Sequence, residues 1–290
     1  MDQLLQHVAN AIILGGTYAL LGVGLTLVFG IMKVVNFTHG ELYTFGAYMV
    51  YLFVVPLGLD FFVAIAFSII MGIMLGALLE FLLLRPIRGA DIDTTMLVMI
   101  GAWIILQNAE QFTWSGIAKS IPTPFGADPL VLGSVSVSWN RVFVFLTAIA
   151  MIVAVNAVIQ RTKLGQAMRA TFQDRDTAML MGVNINLIYM ATFAIGSGLA
   201  ATAGALLGPV FVVTPTMGNL AALKAFAIVI MGGLGNFWGA AIGGFILAFV
   251  EEFGAGYISS CYRDAMGFVL ISLVLMYRPT GLFSQKERNG

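Results

Sequence analysis

Side chains able to carry out covalent chemistry are few in this 290-residue sequence. It contains two histidines, His7 and His39, and one cysteine, Cys261. A nucleophilic triad or a metal centre needs several such groups to converge, and these three are far apart along the chain. The sequence also lacks the Gly-x-x-x-x-Gly-Lys-Ser/Thr loop that binds nucleotide phosphates. We therefore expect no catalytic activity, no bound metal, no cofactor and no internal disulfide.

The densest polar motif in an apolar region lies at Asn36, Thr38, His39 and Glu41. Ionisable groups inside a membrane are candidates for functional sites, which favours a role in the translocation path or in gating. The spacing of Thr38 and Glu41 also fits a capping box, in which the two side chains satisfy free amides at a helix start. Both interpretations stay open, and they are compatible.

The surroundings of two further acids, Glu80 and Glu110, can also be predicted. Glu80 is predicted to pair with Arg85 or Arg88, which follow it by one to two helical turns. Glu110 falls near the outer end of its span, and it is a candidate for facing an aqueous vestibule.

A third group of charges is predicted to lie at the outer membrane surface. Glu251 and Glu252 end an apolar run there, while Lys224 belongs to the outward-facing bases. Arg263 and Asp264 are predicted to extend to the same interface, because long polar side chains snorkel towards water.

Composition places all of these residues in a membrane protein. Hydrophobic residues make up 60% of the chain and charged residues 10%, whereas soluble domains are about a quarter charged. Continuously apolar runs exclude a β-barrel, so the predicted fold is an all-α, polytopic transmembrane bundle. Net charge is zero, which gives no reason to expect nucleic acid as a partner. Runs without Asp, Glu, Lys or Arg cover 3–32, 61–79, 142–160, 177–223 and 225–250.

The whole chain, 1–290, is predicted to be a single transmembrane domain of about eight to nine membrane segments. The region 222–250 is predicted to be broken or re-entrant at Gly232, Gly233, Gly235 and Asn236, because glycine disfavours a continuous helix. Broken helices at depth line cavities, which makes these residues candidates for the translocation path; close packing of small residues is the alternative. The other spans are predicted at about 8–30, 40–57, 61–84, 94–113, 141–160, 187–212 and 264–277.

Basic residues predict the orientation through the positive-inside rule. Clusters follow the third and fifth spans, and a third cluster, Arg278, Lys286 and Arg288, ends the chain. We expect these clusters in the cytoplasm of a bacterial cell with the chain in the inner membrane, the N-terminus periplasmic and the C-terminus cytoplasmic. The segment 114–139 is then a periplasmic loop.

The segment 161–186 is predicted to form two short helices on the cytoplasmic side. Leu164, Met168 and Phe172 recur every four residues as an apolar stripe, Asp174 is placed to cap the second helix, and Gly182 suits its stop. Such a stripe fits either a groove on a soluble partner or the lipid surface. The spacing alone leaves both open.

Four motifs resemble the membrane permeases of branched-chain amino acid ABC importers, of the LivH type. Each motif is weak alone, but their order and predicted depth are specific to that family, and the resemblance runs nearly end to end. The motifs are GTYAL at 16–20 with GLTLVFGI at 24–31 and VNFTHGE at 35–41, GQAMRA at 165–170, GGLG at 232–235, and RPTGLF at 278–283.

The resemblance implies a transporter of several subunits. This chain would pair with a second homologous permease, two ATP-binding subunits and a periplasmic substrate-binding protein, all at the lipid bilayer. The segment 161–186 would be the coupling loop, with its ATPase-coupling residues at Arg169, Ala170, Asp174, Ala178 and Gly182. Branched-chain or other small amino acids are the implied substrates, and urea or short amides are the alternative. An ion-coupled secondary transporter or a channel is the rival class, although such carriers place several acids in mid-span.

Overall fold

A computed structural model of the chain describes residues 2–126, 129–132, 135–278 and 281–283. Two of the predicted terminal bases, Lys286 and Arg288, and positions 279–280 of the RPTGLF motif lie outside the described residues. Within the described ranges the helices are α1 (Asp2–Met32), α2 (His39–Val54), α3 (Phe61–Leu79, extended by a π-helical turn, Glu80–Leu84), α4 (Ile92–Trp114), α5 (Trp139–Arg161), α6 (Lys163–Gln173), α7 (Arg175–Leu180), α8 (Ile185–Leu207), α9 (Met217–Gly232), α10 (Phe237–Tyr257) and, after a 3-10 turn at Ser260–Tyr262, α11 (Arg263–Tyr277).

Six of these helices are long and apolar enough to cross a membrane: α1, α3 with its π-helical turn, α4, α5, α8 and α10. Helices α2, α9 and α11 have 16, 16 and 15 residues, and at 1.5 Å per residue they are about 22–24 Å long. A hydrocarbon core is about 30 Å thick. The fold is a multi-pass helical bundle, and the count of eight to nine segments stays a prediction.

One departure from an all-α chain lies in the predicted loop 114–139. A short antiparallel hairpin forms there from β1 (Leu130–Leu132) and β2 (Val135–Val137). β1 is Leu-Val-Leu and β2 is Val-Ser-Val, and β-branched side chains such as valine fit a pleated, half-buried surface. The hairpin contacts α1, where Gln6 exchanges hydrogen bonds with the backbone of Ser136. We call this the hairpin end of the bundle.

Helices α1 and α8 lie at the centre of the bundle, whereas α4 and α5 expose most of their surface. A helix that is hydrophobic all round is suited to the interior. Small residues let the inner helices approach closely. Gly46 of α2 packs on the backbone of Ala201, and a Cβ at Gly204 of α8 would overlap the carbonyl oxygen of Tyr43.

Helix α2 begins deep inside the bundle. His39, its first residue, lies beside Leu21 of α1, with His39 Nε2 donating to the Leu21 carbonyl at 3.0 Å. Leu21 precedes the last residue of α1 by eleven positions, which is about 16 Å along the helix axis. Residues 33–38 cover that distance without helical structure. Irregular backbone at such depth is tolerated where protein surrounds it.

The predicted break in 222–250 is a tight turn between α9 and α10, at residues 233–236, which we call the glycine turn. Gly233 and Gly235 have φ of +95° and +81°, a left-handed conformation that glycine adopts without a steric penalty. The turn lies beside the C-terminal segment, because the Leu282 amide donates to the Met231 carbonyl at 2.8 Å. Asn236 Nδ2 also donates to the Phe283 carbonyl at 2.6 Å.

Candidate functional site

The predicted path residues Asn36, Thr38, His39 and Glu41 lie together at the start of α2, and none of them is exposed. Asn36 Oδ1 accepts hydrogen bonds from the Thr38 amide at 3.0 Å and from Thr38 Oγ1 at 2.5 Å. This side chain therefore replaces the backbone partners that an irregular segment lacks.

The predicted capping box at Thr38 and Glu41 is wrong. The Thr38 side chain makes no capping hydrogen bond to α2, because its hydroxyl is engaged by Asn36. Glu41 turns away from the helix start and accepts from Trp103 Nε1 of α4 at 2.9 Å. Its carboxylate therefore contacts another helix and does not cap its own.

Glu41 belongs to a polar cluster shared by α2, α4 and α9. Asn219 Oδ1 accepts from Trp103 Nε1 at 3.3 Å and from Gln107 Nε2 at 2.9 Å. Glu110, a candidate for facing an aqueous vestibule, is instead buried at 3% exposure and lies close to Glu41. Long-range contacts between helices decide this arrangement, and helical spacing alone does not show them.

The second set of predicted path residues, Gly232, Gly233, Gly235 and Asn236, lies elsewhere. Asn236 Oδ1 caps α10 by accepting from the Gly239 amide at 2.9 Å. The structure therefore divides the predicted path residues into two groups with different neighbours, one at the start of α2 and one in the glycine turn.

A single aromatic ring links the glycine turn to the segment 161–186. Cβ atoms built on Gly30 and Gly235 would approach the Phe172 ring to 3.3 and 3.0 Å. Phe172 of α6 therefore occupies a notch between the end of α1 and the glycine turn. Glycine at both positions keeps the notch open.

The segment 161–186 forms the two predicted helices, α6 and α7. The Gly165 amide donates to the capping Thr162 Oγ1 at 3.0 Å. Asp174 caps α7 as predicted, accepting from the amides of Asp176 and Thr177 at 2.9 and 3.1 Å. Gly182 follows α7 with φ of +85°, the left-handed conformation predicted for the stop.

The cap at Asp174 is an ionised group at neutral pH. Hydrogen bonds from the Thr177 hydroxyl and amide hold the pKa of Asp174 below its ordinary value of 3.8. A carboxylate with a lowered folded pKa stabilises the fold above its ordinary pKa and loses that contribution as the pH falls through the folded value. The cap is therefore intact throughout the physiological range.

The coupling residues proposed from the resemblance occupy different environments. Arg169 donates to the carbonyl of Ile159 on α5, and Ala178 is buried at 4% exposure, so both hold the segment to its own chain. Asp174 and Gly182 are exposed, and Ala170 is half-buried. The most exposed apolar side chains of the segment are instead at Met179, Leu180 and Met181, at 54, 84 and 81% exposure. We call these three residues the apolar tip.

A cavity of about 520 Å³ adjoins this segment. It lies between the end of α1 and the helices α6 and α7, and charged side chains contribute to its wall, among them Lys33, Arg88 and Asp174. The same end of the bundle carries the predicted ion pair, because Arg88 bonds to Glu80 and to Asn186. We call it the α6–α7 end.

Comparison with known proteins identifies the family. The model of the family described as "Branched-chain amino acid transport system / permease component" matches residues 7–277. The chain belongs to this permease family. It is 36% identical to the branched-chain amino acid permease protein BraD of Pseudomonas aeruginosa, with 98% of this chain and 96% of the relative covered. It is 34% identical to LivH of Escherichia coli, with the same coverage, and no solved structure matches it.

A second permease protein of Escherichia coli, LivM, is also similar to this permease. The identity is 26%, over 91% of this chain and 67% of LivM. LivH and LivM carry the same transport-system name. The permease is thus similar to two different permease proteins that carry the same transport-system name.

The structure of the permease also contains a buried ionic cluster that sequence reasoning missed. Lys224 Nζ lies 2.6 Å from the Tyr18 hydroxyl, 2.7 Å from Glu251 and 2.9 Å from Asp264. We call these four residues the Lys224 cluster. Glu251 and Glu252 were predicted to meet water at the end of a span, and this was wrong, because they are 1 and 7% exposed. Lys224 is buried as well, and the side of the membrane on which it lies stays a prediction.

Beside the Lys224 cluster, Glu252 accepts from Arg263 at 3.1 Å and from Asn10 at 3.2 Å. Each charge at this end of α10 and α11 is therefore partnered by another chain segment and does not simply extend into water. The pairs join residues far apart in sequence, so charge signs were the sole signal available for them.

Proposed function

We propose that this permease is the membrane-spanning subunit of an ATP-binding-cassette importer that brings a branched-chain amino acid across the bacterial inner membrane. The observation that supports the ATP-driven class is the apolar tip, presented on a helix that is capped at Asp174 and held to the bundle. A secondary transporter or a channel has no need of such a projecting element.

Docking into a protein groove fits the segment better than resting on lipid. A lever must be stiff, and α6 is fixed to α5 at both ends of its contact, through Arg169 and through the close approach of Gly165 to the Ile159 carbonyl. Phe172 then connects α6 to the glycine turn. A helix that only rests on a membrane surface needs neither fixation.

Four partner subunits, of three types, follow from this proposal. They are a second homologous permease, two ATP-binding subunits inside the cell and a periplasmic substrate-binding protein. The shared system name of LivH and LivM favours a heteromeric pair of permeases. The α6–α7 end then faces the cytoplasm with the C-terminus, and the hairpin end and the N-terminus face the periplasm.

A crosslinking experiment tests the docking. Cys261 is the single cysteine, so a Cys261→Ser, Leu180→Cys variant carries one thiol on the apolar tip. We expect a short bifunctional maleimide–amine reagent to join it to the ATP-binding subunit in the assembled transporter. Crosslinking to lipid amines alone would overturn the docking assignment.

Uptake into proteoliposomes tests the transport itself. The complete transporter, with ATP inside, should accumulate labelled leucine and not labelled urea. Leu180→Asp places a charge in an apolar groove, and we expect uptake to fall about tenfold or more, while Leu180→Met retains it. Leucine uptake that persists without ATP and follows an ion gradient would establish the carrier class instead.

A further inference from the structure

The polar cluster between α2 and α4 contains two acids without a counter-charge. Glu41 and Glu110 are 0 and 3% exposed, and their carboxyl groups lie close to each other. Among the described residues, neither acid forms a salt bridge. Two ionised carboxylates at this separation repel each other strongly in a medium of low dielectric constant.

Three carboxylate oxygens of this pair are buried and have no hydrogen-bond donor. They are Glu41 Oε2, Glu110 Oε1 and Glu110 Oε2, while Glu41 Oε1 already accepts from Trp103. The hydroxyl of Tyr48, about two helical turns beyond Glu41 on α2, is also buried without a partner. Buried polar atoms are nearly always satisfied, so this many free acceptors in one place point to a missing donor.

We infer that Glu41 and Glu110 form a binding site for the primary ammonium group of the transported amino acid. This inference rests on the proposed function and assigns the side chains that recognise its substrate. An ammonium group has three N–H donors and no acceptor, which equals the number of free carboxylate oxygens. Its positive charge also offsets the repulsion between the two acids.

A neutral amide fits the site less well. Urea and short amides offer N–H donors but carry no charge, so both negative charges of the pair remain without a counter-charge. The site therefore favours an amino acid over urea on charge.

Access to the pair runs along α4. Only Thr95, Met99, Ala102 and Glu110 of this helix are buried, so one narrow face holds it to the bundle. The rim of the cluster, at Trp103, Gln107 and Asn219, is already partly exposed. A small outward movement of α4 admits the amine, and in the empty state the two acids share a proton instead.

Glutamine substitutions test the site in the complete transporter reconstituted in proteoliposomes. Glu41→Gln and Glu110→Gln keep the side-chain size and remove the charge. We expect leucine uptake to fall about tenfold to a hundredfold, the value of one to two charged hydrogen bonds. Asp93→Asn is the matched control, because Asp93 is an exposed acid on the same helix, and its uptake should stay within about twofold of the wild type.

The two proposals fail differently in this experiment. If the wild-type transporter takes up no leucine, the proposed function is wrong. If it does, and both glutamine variants match Asp93→Asn, the ammonium site is wrong and the transport function stands.

A labelling experiment on the wild type distinguishes substrate binding from a structural role of the acids. Dicyclohexylcarbodiimide reacts with protonated carboxyls in apolar surroundings, so we expect it to label Glu41 or Glu110 in the empty transporter, as located by peptide mass spectrometry. 3-Methylbutylamine, which keeps the ammonium group and lacks the carboxylate, should protect against labelling. 4-Methylpentanoate, which lacks the amine, should not.

Three outcomes of the labelling would overturn the site. Labelling that no amine prevents would leave a proton-sharing pair with a structural role only. Equal protection by sodium chloride would assign a metal cation in place of an amine. Absence of labelling at both acids would contradict the shared proton of the empty state.

Discussion

Replacing Lys224 with methionine should destabilise the permease more than any other single change in the Lys224 cluster. The substitution keeps the length of the side chain and removes the charge, leaving Glu251 at 1% exposure with the Tyr18 hydroxyl as its remaining donor at 2.7 Å. Breaking a buried ion pair by removing one partner costs about 3–5 kcal/mol. That is roughly a 10²- to 10⁴-fold shift towards the unfolded state.

The two acids of the cluster should contribute unequally. Asp264 is 45% exposed at its side chain, so Asp264→Asn should cost at most about 1 kcal/mol, as for a surface pair. The double variant Lys224→Met, Glu251→Gln should be more stable than Lys224→Met alone, because no charge is then left buried.

Reversible unfolding by sodium dodecyl sulfate in mixed micelles, followed by tryptophan fluorescence, measures these free energies. The reasoning would be refuted if Lys224→Met unfolded within about 1 kcal/mol of the wild type. It would fail equally if Asp264→Asn proved the more damaging of the two single changes.

Two further changes have clear expectations in the same unfolding assay. Gly204→Ala drives a Cβ into the Tyr43 carbonyl, so it should lower the free energy of unfolding by about 2 kcal/mol or more through overpacking. At Gly101 an added Cβ meets nothing within 4 Å, so Gly101→Ala should stabilise α4 by up to about 1 kcal/mol. Equal effects of the two changes would contradict the packing of α2 on α8. Arg88→Lys should lower the free energy of unfolding by about 1–3 kcal/mol, because lysine cannot bond Glu80 and Asn186 together as the guanidinium does. An unchanged unfolding midpoint would show that one donor is enough.

The sequence was most informative where one local rule decides the structure. Charge-free runs located the long helices because exclusion of charge is the dominant constraint in hydrocarbon. The same local logic predicted the cap at Asp174 and the left-handed residue at Gly182, since both depend on neighbours a few positions away.

The sequence was least informative where distant residues meet. Glu41 and Trp103 are 62 positions apart, and Lys224 and Glu251 are 27 apart. Without the packing of the helices, an acid near a span end looks the same whether it faces water or a buried lysine. The capping box failed for a related reason, because Asn36 engages the Thr38 hydroxyl before the helix start can use it.

The Phe172 ring in its notch has a consequence for timing. The ring lies against Gly30 and Gly235, and a Cβ at either position would crowd it. A displacement of α6 therefore acts on the end of α1 and on the glycine turn at the same time, through one side chain.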